Sequence, residues 1–414
     1  MFRKLVSLDE AKKKIADMFS PKPLGIEKIF LLKAAGRVLA EDVVSPISVP
    51  PFQRSTVDGY AVKSEDTFSA EEDNPATLKL VGRVEVGELS SLAIEKGDAV
   101  EIVTGAPLPT GANAVVMVEH TTEKKGAILV YKPVTKNENV MIMGSDIREN
   151  ETILKRGTAL SSRELGVLAA LGLTQVNVFK QPKVAIISTG AEIVEPGKPL
   201  PPGKIYDVNT YTLTAAVLES DGEPIYFGIV EDDVKLLRTT VKKALDSADI
   251  VITSGGVSVG PKDVIPEIID ELGRPGLVVH GVAVKPGKPI AVAIVGNKPI
   301  FSLPGNPTSS LLMFHLLVRP ILFEMAGKKE KLHNIVKALT TAKLFSARGR
   351  RTFITVTLTS NNKGQLQASP VPTGQSGAIT TLAKADGYVE LKETQQFIDA
   401  GKEVKVFLFK PLEG

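Results

Sequence analysis

"ITSGGVSVGPKDVIPEIID", residues 252–270, begins as an apolar strand, breaks at Gly255-Gly256, and then holds one carboxylate, Asp263, at the start of a helical pattern. A strand ending in a glycine turn before a helix is the repeating unit of a parallel sheet covered on both faces. The surrounding chain repeats it. From "PKVAIISTG" (182–190) onward, "YTLTAAVLESDG" fits a helix, "EPIYFGIV" a strand, "DVKLLRTTVKKALDSA" a helix and "DIVITSGG" a strand. Residues 181–327 are therefore expected to form a three-layer α/β domain, whose ligand would bind outside the carboxyl ends of the strands.

The flanks differ in character. Residues 7–19 and 28–40 have helical patterns, the first with Ser7 as N-cap and Glu10 completing a capping box. The proline-rich "VVSPISVPPF" then marks a boundary near residue 46. Up to about residue 148 come short β-like runs, "TLKLVGRVEVG", "DAVEIVTG", "AVVMVEH" and "AILVYKPV", with no long helix among them. "SSRELGVLAALGL" (161–173) is a clear amphipathic helix, so helical segments bracket the β insertion and could form one domain. After "SSLLMFHLLVRPILFEMAG" (309–327), an apolar helix interrupted near Pro320, the chain from about 335 alternates as a small β barrel or sandwich would.

A chain of 414 residues exceeds one ordinary core and suggests two to four domains. Hydrophobic residues are 43% and charged residues 23%, and no apolar run approaches the roughly 18 residues of a membrane span, so a soluble protein outside the membrane is expected. The N-terminus lacks the apolar centre of a signal peptide, which makes the cytoplasm the default. Cysteine is absent, which excludes disulfides, thiolate metal sites and cysteine nucleophiles. The histidines, His120, His280, His315 and His333, are scattered without metal-ligand spacing, so any metal would be a hard cation on oxygen ligands. A net charge of +3, without dense basic runs or an aromatic stacking series, argues against nucleic acid as a partner.

Three strand-end turns share one character. They supply Ser188, Thr189, Gly190 and Glu192; then Ser254, Gly255, Gly256 and Ser258; then Pro304, Gly305, Asn306 and Pro307 ahead of a helix. Small residues let backbone N–H groups approach an anion, and helix N-termini add donors. One such turn alone would mean only that the chain turns there; three at one sheet edge imply a phosphate or carboxylate ligand. In "VAVKPGKPIAV", Lys285 and Lys288 straddle a Pro-Gly turn and suit an oligoanion, although such a tetrapeptide is commonly a solvated hairpin tip. Glu192, Asp207, Asp232 and Asp263 fall on or after strand ends. Around a phosphate-bearing ligand they would repel it unless a divalent cation such as magnesium lies between, with Glu192, Asp232 and Asp263 as its expected ligands. Asp232 or its neighbour Asp233 could equally be the N-cap of the next helix. The chain lacks the phosphate loop of a kinase and a dinucleotide fingerprint.

Six motifs then occur in order: "PPFQRSTVDGYAV" (50–62), "VTGAPLPTGANAVVMVEH" (103–120), "STGAEI", "GGVSVGPKD", "KPGKP" and "LPGNPTSS". Together they closely resemble the molybdopterin molybdenumtransferase family, of the MoeA and gephyrin E-domain type, through nearly the whole chain to "SGAITTLAKADGY". The resemblance implies a split helical domain (1–45 and 149–180) interrupted by a β-rich domain (46–148). A three-layer α/β molybdopterin-binding domain (181–327) and a small C-terminal β barrel (328–414) would follow. It implies a homodimer with a cleft shared between subunits, fed by a molybdopterin adenylyltransferase. The reaction would insert molybdate into adenylylated molybdopterin (molybdopterin-AMP) with Mg²⁺ and release AMP.

Carried over by motif, Asp58, Thr104, Glu192, Asp232 and Asp263 would line the cleft, with Asp146 as a further acid and Lys285 and Lys288 as the lysines of "KPGKP". Pro304 and Pro307 would shape the "LPGNP" turn. One departure stands out: where the family commonly carries arginines, this chain reads "NVMIMGSDI", with Met141, Ile142 and Met143, so that contact is missing or supplied by another residue such as Arg148. The family's Glu before Asp146 is Ser145. Arg350 and Ser376 approximate C-terminal family positions. Tungstate in place of molybdate, with the same charge and nearly the same geometry, and a non-catalytic gephyrin-like scaffold remain open alternatives.

Overall fold

The computed structural model describes residues 5–87, 91–231, 233–257, 264–328, 335–371 and 379–410. The chain forms two compact units, one of residues 1–27, 36–40 and 178–414, the other of residues 28–35 and 41–177. Helix α1 (Leu8–Met18) opens the first unit, and the Ser7 hydroxyl accepts the Glu10 N–H at 3.1 Å as the sequence expects. The expected helix at 28–40 is absent. A strand covers Ile26–Phe30 and a single 3-10 turn covers Leu31–Lys33. Gly36 turns at φ +80°, and the successive residues Val38, Leu39 and Ala40 are all buried, with Leu39 bridging Val178. Burial of three consecutive side chains suits an extended segment covered on both sides, whose apolar residues merely coincide with a helical spacing.

The second unit is built on a six-stranded sheet of β1 (Gly59–Val62), β2 (Ala76–Val84), β3 (Asp98–Ile102), β4 (Ala114–Met117), β5 (Thr121–Lys124) and β6 (Ala127–Val130), in the order β4-β1-β3-β2-β6-β5. The pleat sends alternate residues to opposite cores. Tyr60, Val62, Ala99 and Val116 enter one, Ala61, Val100, Ile102 and Val115 the other. Strand β1 passes so close to β4 that a Cβ on Gly59 would stand 1.9 Å from the Val116 carbonyl oxygen, so only glycine fits beside Asp58. Helix α2 (Ser162–Ala170) carries a complete capping box between Ser161 and Glu164.

In the first unit, β7 (Lys183–Thr189), α3 (Asn209–Glu219), β8 (Glu223–Val230), α4 (Val234–Ser247), β9 (Ile250–Ser254) and α5 (Ile265–Glu271) alternate as the sequence predicts. They are followed by β10 (Pro275–His280), β11 (Ala291–Val295) and β12 (Lys298–Leu303). The sheet order is β8-β7-β9-β12-β11-β10. The first four strands are parallel, and β11 and β10 are added antiparallel to their neighbours. Residues 184–189 and 250–254 are buried without a break, as strands covered on both faces must be. Val184, Ile186, Ile250 and Ile252 pack with α1, α3 and the helix Pro307–Met325; Ala185, Ile187 and Val251 pack with α4 and α5. Asp233 caps α4, its carboxylate accepting the Leu236 N–H at 2.7 Å.

The segment after β12 is one continuous helix built of α6 (Pro307–Met313), a π turn (Phe314–Val318) and α7 (Arg319–Met325). The π turn absorbs Pro320, which has no N–H to donate to the preceding turn. By length and composition this helix could cross a membrane, which corrects the expectation that no apolar run approaches that length; 67% of its apolar stretch is nevertheless buried inside the fold. It is a core helix, apolar because most of its circumference is covered.

The C-terminal strands β13 (Ile335–Thr340), β14 (Arg351–Ser360), β15 (Leu366–Pro370), β16 (Gly387–Leu391) and β17 (Glu403–Leu408) close into a five-stranded barrel through the β14–β16 pairing. Phe353 and Tyr388 of the barrel enter the α/β core. Arg351 joins three carboxylates, Asp9 at 2.6 Å, Glu390 at 3.3 Å and Glu393 at 3.0 Å, and so ties the barrel to α1.

His315 lies in the π turn against the Phe409 ring at 5.3 Å, with Arg319 at 3.4 Å from its Nδ1. Burial first, then the Arg319 charge, lowers its pKa to about 3. A base with a depressed folded pKa takes up protons preferentially when unfolded, so its neutral form weakens nothing at pH 7 and the fold loses stability as pH falls from 6.5 towards 3. Urea denaturation of His315→Leu should therefore show a shallower loss of stability across that window, by up to about 1.4 kcal/mol per pH unit. Identical slopes for variant and parent would show that His315 is not held neutral.

Candidate active site

The strand order reverses between β7 and β9, since the chain leaves β7 for β8 on one side and returns to β9 on the other. The carboxyl ends at such a point diverge and leave a crevice. Ser188 at the end of β7 pairs with Ser254 of β9, which pairs in turn with Leu303 of β12, so the turns that follow all start at one level. The Gly255 N–H donates to the Leu303 carbonyl at 3.2 Å and the Thr189 hydroxyl to the Ser254 carbonyl at 3.3 Å. Glycine is required where the turns meet. Gly255 adopts φ +97°, and a Cβ there would stand 2.4 Å from the Thr189 carbonyl oxygen; on neighbouring Gly256, at φ +64°, one would stand 2.9 Å from the Ile265 side chain. The Glu192 carboxylate folds back over Gly190, 2.7 Å from where a Cβ would be.

The start of α3, with Asp207 just before it, ties these ends together. Thr210 gives Asp207 its N–H at 3.0 Å and its hydroxyl at 2.6 Å. That hydroxyl has one proton, already committed to Asp207, so the Ser188 hydroxyl donates to Thr210 across the 2.8 Å contact. The Asn209 amide nitrogen donates to the Ser254 hydroxyl at 2.6 Å and the Gly305 carbonyl at 2.7 Å. Asp207, expected to face the ligand, is 3% exposed and turns both oxygens inward to Thr210. Asn209 and Thr210 escaped the sequence reading. The one available signal was the Asp-x-x-Thr spacing at a helix start.

Strand β10 runs in the same sense as β12, so the segment after it, with Lys285 and Lys288, leaves the sheet at the same carboxyl edge. Lys285 is exposed and Lys288 half-buried. Between them Gly287, at φ +105°, lies where a Cβ would meet the Met313 side chain at 2.8 Å, and Met313 ends the helix that begins at Pro307. The Asn306 side chain caps that helix, and Pro304 is buried. The lysine turn and the "LPGNP" turn are thus held by one helix. Strand pairing of Val284–Lys285 with β14 adds the barrel as a third support.

In the second unit, the Asp58 carboxylate accepts the Thr104 N–H at 2.7 Å and its hydroxyl at 2.8 Å. These bonds hold its pKa below the usual carboxylate range. Met141 continues a two-residue pairing with Arg54 and Ser55, its sulfur 3.3 Å from the Arg54 guanidinium, while Ile142 and Met143 are 40% and 55% exposed. Asp146 and Arg148 are exposed. Asp232, Ser258, Asp263 and Ser376 lie outside the described residues. Of the expected magnesium ligands only Glu192 is described. Among the described residues no three Asp, Glu or His side chains converge, so no step is assigned to a metal here.

The profile of the MoeA N-terminal region (domain I and II) matches residues 6–172. One described as "Probable molybdopterin binding domain" matches 185–324. The MoeA C-terminal region (domain IV) matches 337–409. A molybdopterin molybdenumtransferase from Haemophilus influenzae is 34% identical over 412 residues, covering 99% of this chain and 100% of its own. The chain belongs to the MoeA family. Another relative, molybdopterin molybdenumtransferase 2 from Mycobacterium tuberculosis, is 34% identical and covers 97% of this chain and 99% of its own. A solved molybdopterin biosynthesis MoeA protein from Pyrococcus horikoshii matches with a TM-score of 0.87 at 42% identity, covering 99% of this chain and 100% of that one. A second MoeA structure from the same species gives 0.81 at 34% identity, covering 98% and 100%.

Within the MoeA fold, the Asp58–Thr104 pair makes a direct prediction. Thr104→Val removes the hydroxyl donor while sparing the N–H, so the Asp58 carboxyl should titrate at higher pH than in the parent, as followed by carboxyl-carbon NMR. An unmoved titration would mean that the hydroxyl does not hold the charge.

Proposed function

We propose that this MoeA-family chain is a molybdopterin molybdenumtransferase that inserts molybdate into adenylylated molybdopterin and releases AMP. The observation that carries the reading is the convergence of the 188–190, 254–256 and 304–307 turns at the switch point, with the lysine turn at the same edge. Left-handed glycines and the capped start of α6 offer backbone N–H donors to an anionic phosphate group. Lys285 and Lys288 supply the cations for the molybdate oxyanion, and their rigid turn holds it for transfer to the dithiolene sulfurs. In the overall reaction two molybdenum–sulfur bonds replace two molybdenum–oxygen bonds, the displaced oxygens leave as water with the dithiol protons and two further protons, and one water is consumed as the phosphoanhydride bond breaks to give AMP and the pterin phosphate.

We further propose a homodimer whose subunits share the cleft, with Asp58 and Thr104 serving the site in trans, and an adenylyltransferase reaction supplying the substrate. The division into residues 1–45 with 149–180, 46–148, 181–327 and 328–414 belongs to the same proposal. So does a cytoplasmic location. Magnesium, when bound, would neutralise charge on the pyrophosphate; Glu192 is its one expected ligand among the described residues.

The reading is tested by AMP release from adenylylated molybdopterin with and without molybdate. Release should depend on molybdate and fall on chelation of divalent cations. Lys285→Ala and Lys288→Ala should each raise the KM for molybdate by about tenfold or more, the loss expected for one charge-assisted contact. Parental KM values in both variants would remove the lysines from oxyanion binding, and no AMP release at all would end the reading. Tungstate at equal concentration, as competitor, reports which oxyanion the site prefers.

A further inference from the structure

We propose that Asn209 is a positioning residue of the cleft: by holding the Ser254 hydroxyl and the Gly305 carbonyl together, it sets the spacing at which the turns after β9 and β12 present their donors to substrate. The proposal rests on the function given above for the site and adds a residue to it.

Asn209 is the first residue of α3 and is 4% exposed. Its amide nitrogen has two protons and gives one to each partner, at 2.6 and 2.7 Å. Chemistry fixes which way the amide faces, because the Gly305 carbonyl can only accept and a flipped amide would set oxygen against oxygen. One side chain thereby joins two residues that lie 45 and 96 positions beyond it in sequence. Among the described residues no other side chain links the Gly305 carbonyl to β9.

Helix capping does not account for this residue. The first turn of α3 is served by Asp207, which takes the Thr210 N–H, and α3 is fastened to β7 through Thr210 and Ser188. The Asn209 side chain therefore adds nothing that its own helix lacks, and its hydrogen bonds run to the end of β9 and the turn after β12. Ser254 accepts from Asn209 and so keeps its own proton to donate, and Asn209 Oδ1 is buried without a hydrogen-bond partner among the described residues. A displacement of about 1 Å in such a frame is enough to cost a reaction some two orders of magnitude.

The test pairs hydrogen exchange with kinetics on the full-length protein. In Asn209→Ala, amide exchange of peptides covering 253–257 and 303–306 should accelerate by about tenfold or more, the loss of roughly one hydrogen bond, while barrel peptides exchange as in the parent. The KM for adenylylated molybdopterin should rise by a similar factor and the KM for molybdate stay within about twofold. Asn209→Asp keeps the shape and removes at least one donor, so it should show the same pattern, and it carries the test if the alanine variant does not fold. Parental exchange at both turns in either folded variant would overturn the proposal, as would a rise in the molybdate KM equal to that for the pterin substrate. Failure of the parent to release AMP would defeat the functional reading alone, and the exchange measurement would still decide whether Asn209 sets the turns.

Discussion

Four residues at the start of α3 tie the carboxyl edge of the sheet together. Residues 207–210 place a carboxylate, an amide and a hydroxyl below the surface, and their partners belong to β7, β9 and the turn after β12. Removing a carboxylate from water costs several kcal/mol. The two Thr210 donors to Asp207 each return about 1.5–3 kcal/mol, the range for hydrogen bonds to a charged group. The balance is favourable only when the network is complete, so the strand ends are fixed together or not at all. A crevice assembled this way is rigid, as positioning of a multiply charged substrate requires.

Around that edge the supports are layered. Helix α6 begins in the third turn and its last residue, Met313, fills the space beside Gly287 in the lysine turn. The strand leading into that turn is paired with β14 at Arg351 and Thr352. Arg351 in turn holds α1 through Asp9. The barrel and the N-terminal helix, though far from the strand ends in sequence, thus bear on where Lys285 and Lys288 stand. Side chains with several carboxylate partners lose less entropy per bond than isolated surface pairs, which is why this cluster, with Arg351 13% exposed, matters more than the exposed ion pairs elsewhere.

The α/β domain was legible in the sequence because its central strands are buried on both faces, leaving unbroken apolar runs such as 184–187 and 250–252 that only a covered sheet explains. The glycine turns were legible because left-handed backbone and close approach exclude other residues. The segment 28–40 was not: its apolar residues fit a helical spacing, and only the pairing of Leu39 with Val178 and the left-handed Gly36 decide for extended chain. Asp207 was placed correctly at the edge and wrongly aimed, since its partner Thr210 looked like an ordinary helix residue. Asn209 could not be found from sequence at all, because its partners are 45 and 96 residues away. Long-range hydrogen bonds leave no periodic trace.

The central claim is that one pocket at the carboxyl edge of the α/β sheet takes the pterin nucleotide. A different cavity of about 720 Å³, lined by Phe19, Lys22, Leu24, Asp249, Asn297 and Lys298 among others, lies at the opposite, amino edge and offers a direct contrast. A crystal structure of the protein with adenylylated molybdopterin decides between them. The account predicts density in contact with Thr189, Gly255 and Gly305; density confined to the amino-edge cavity would contradict it.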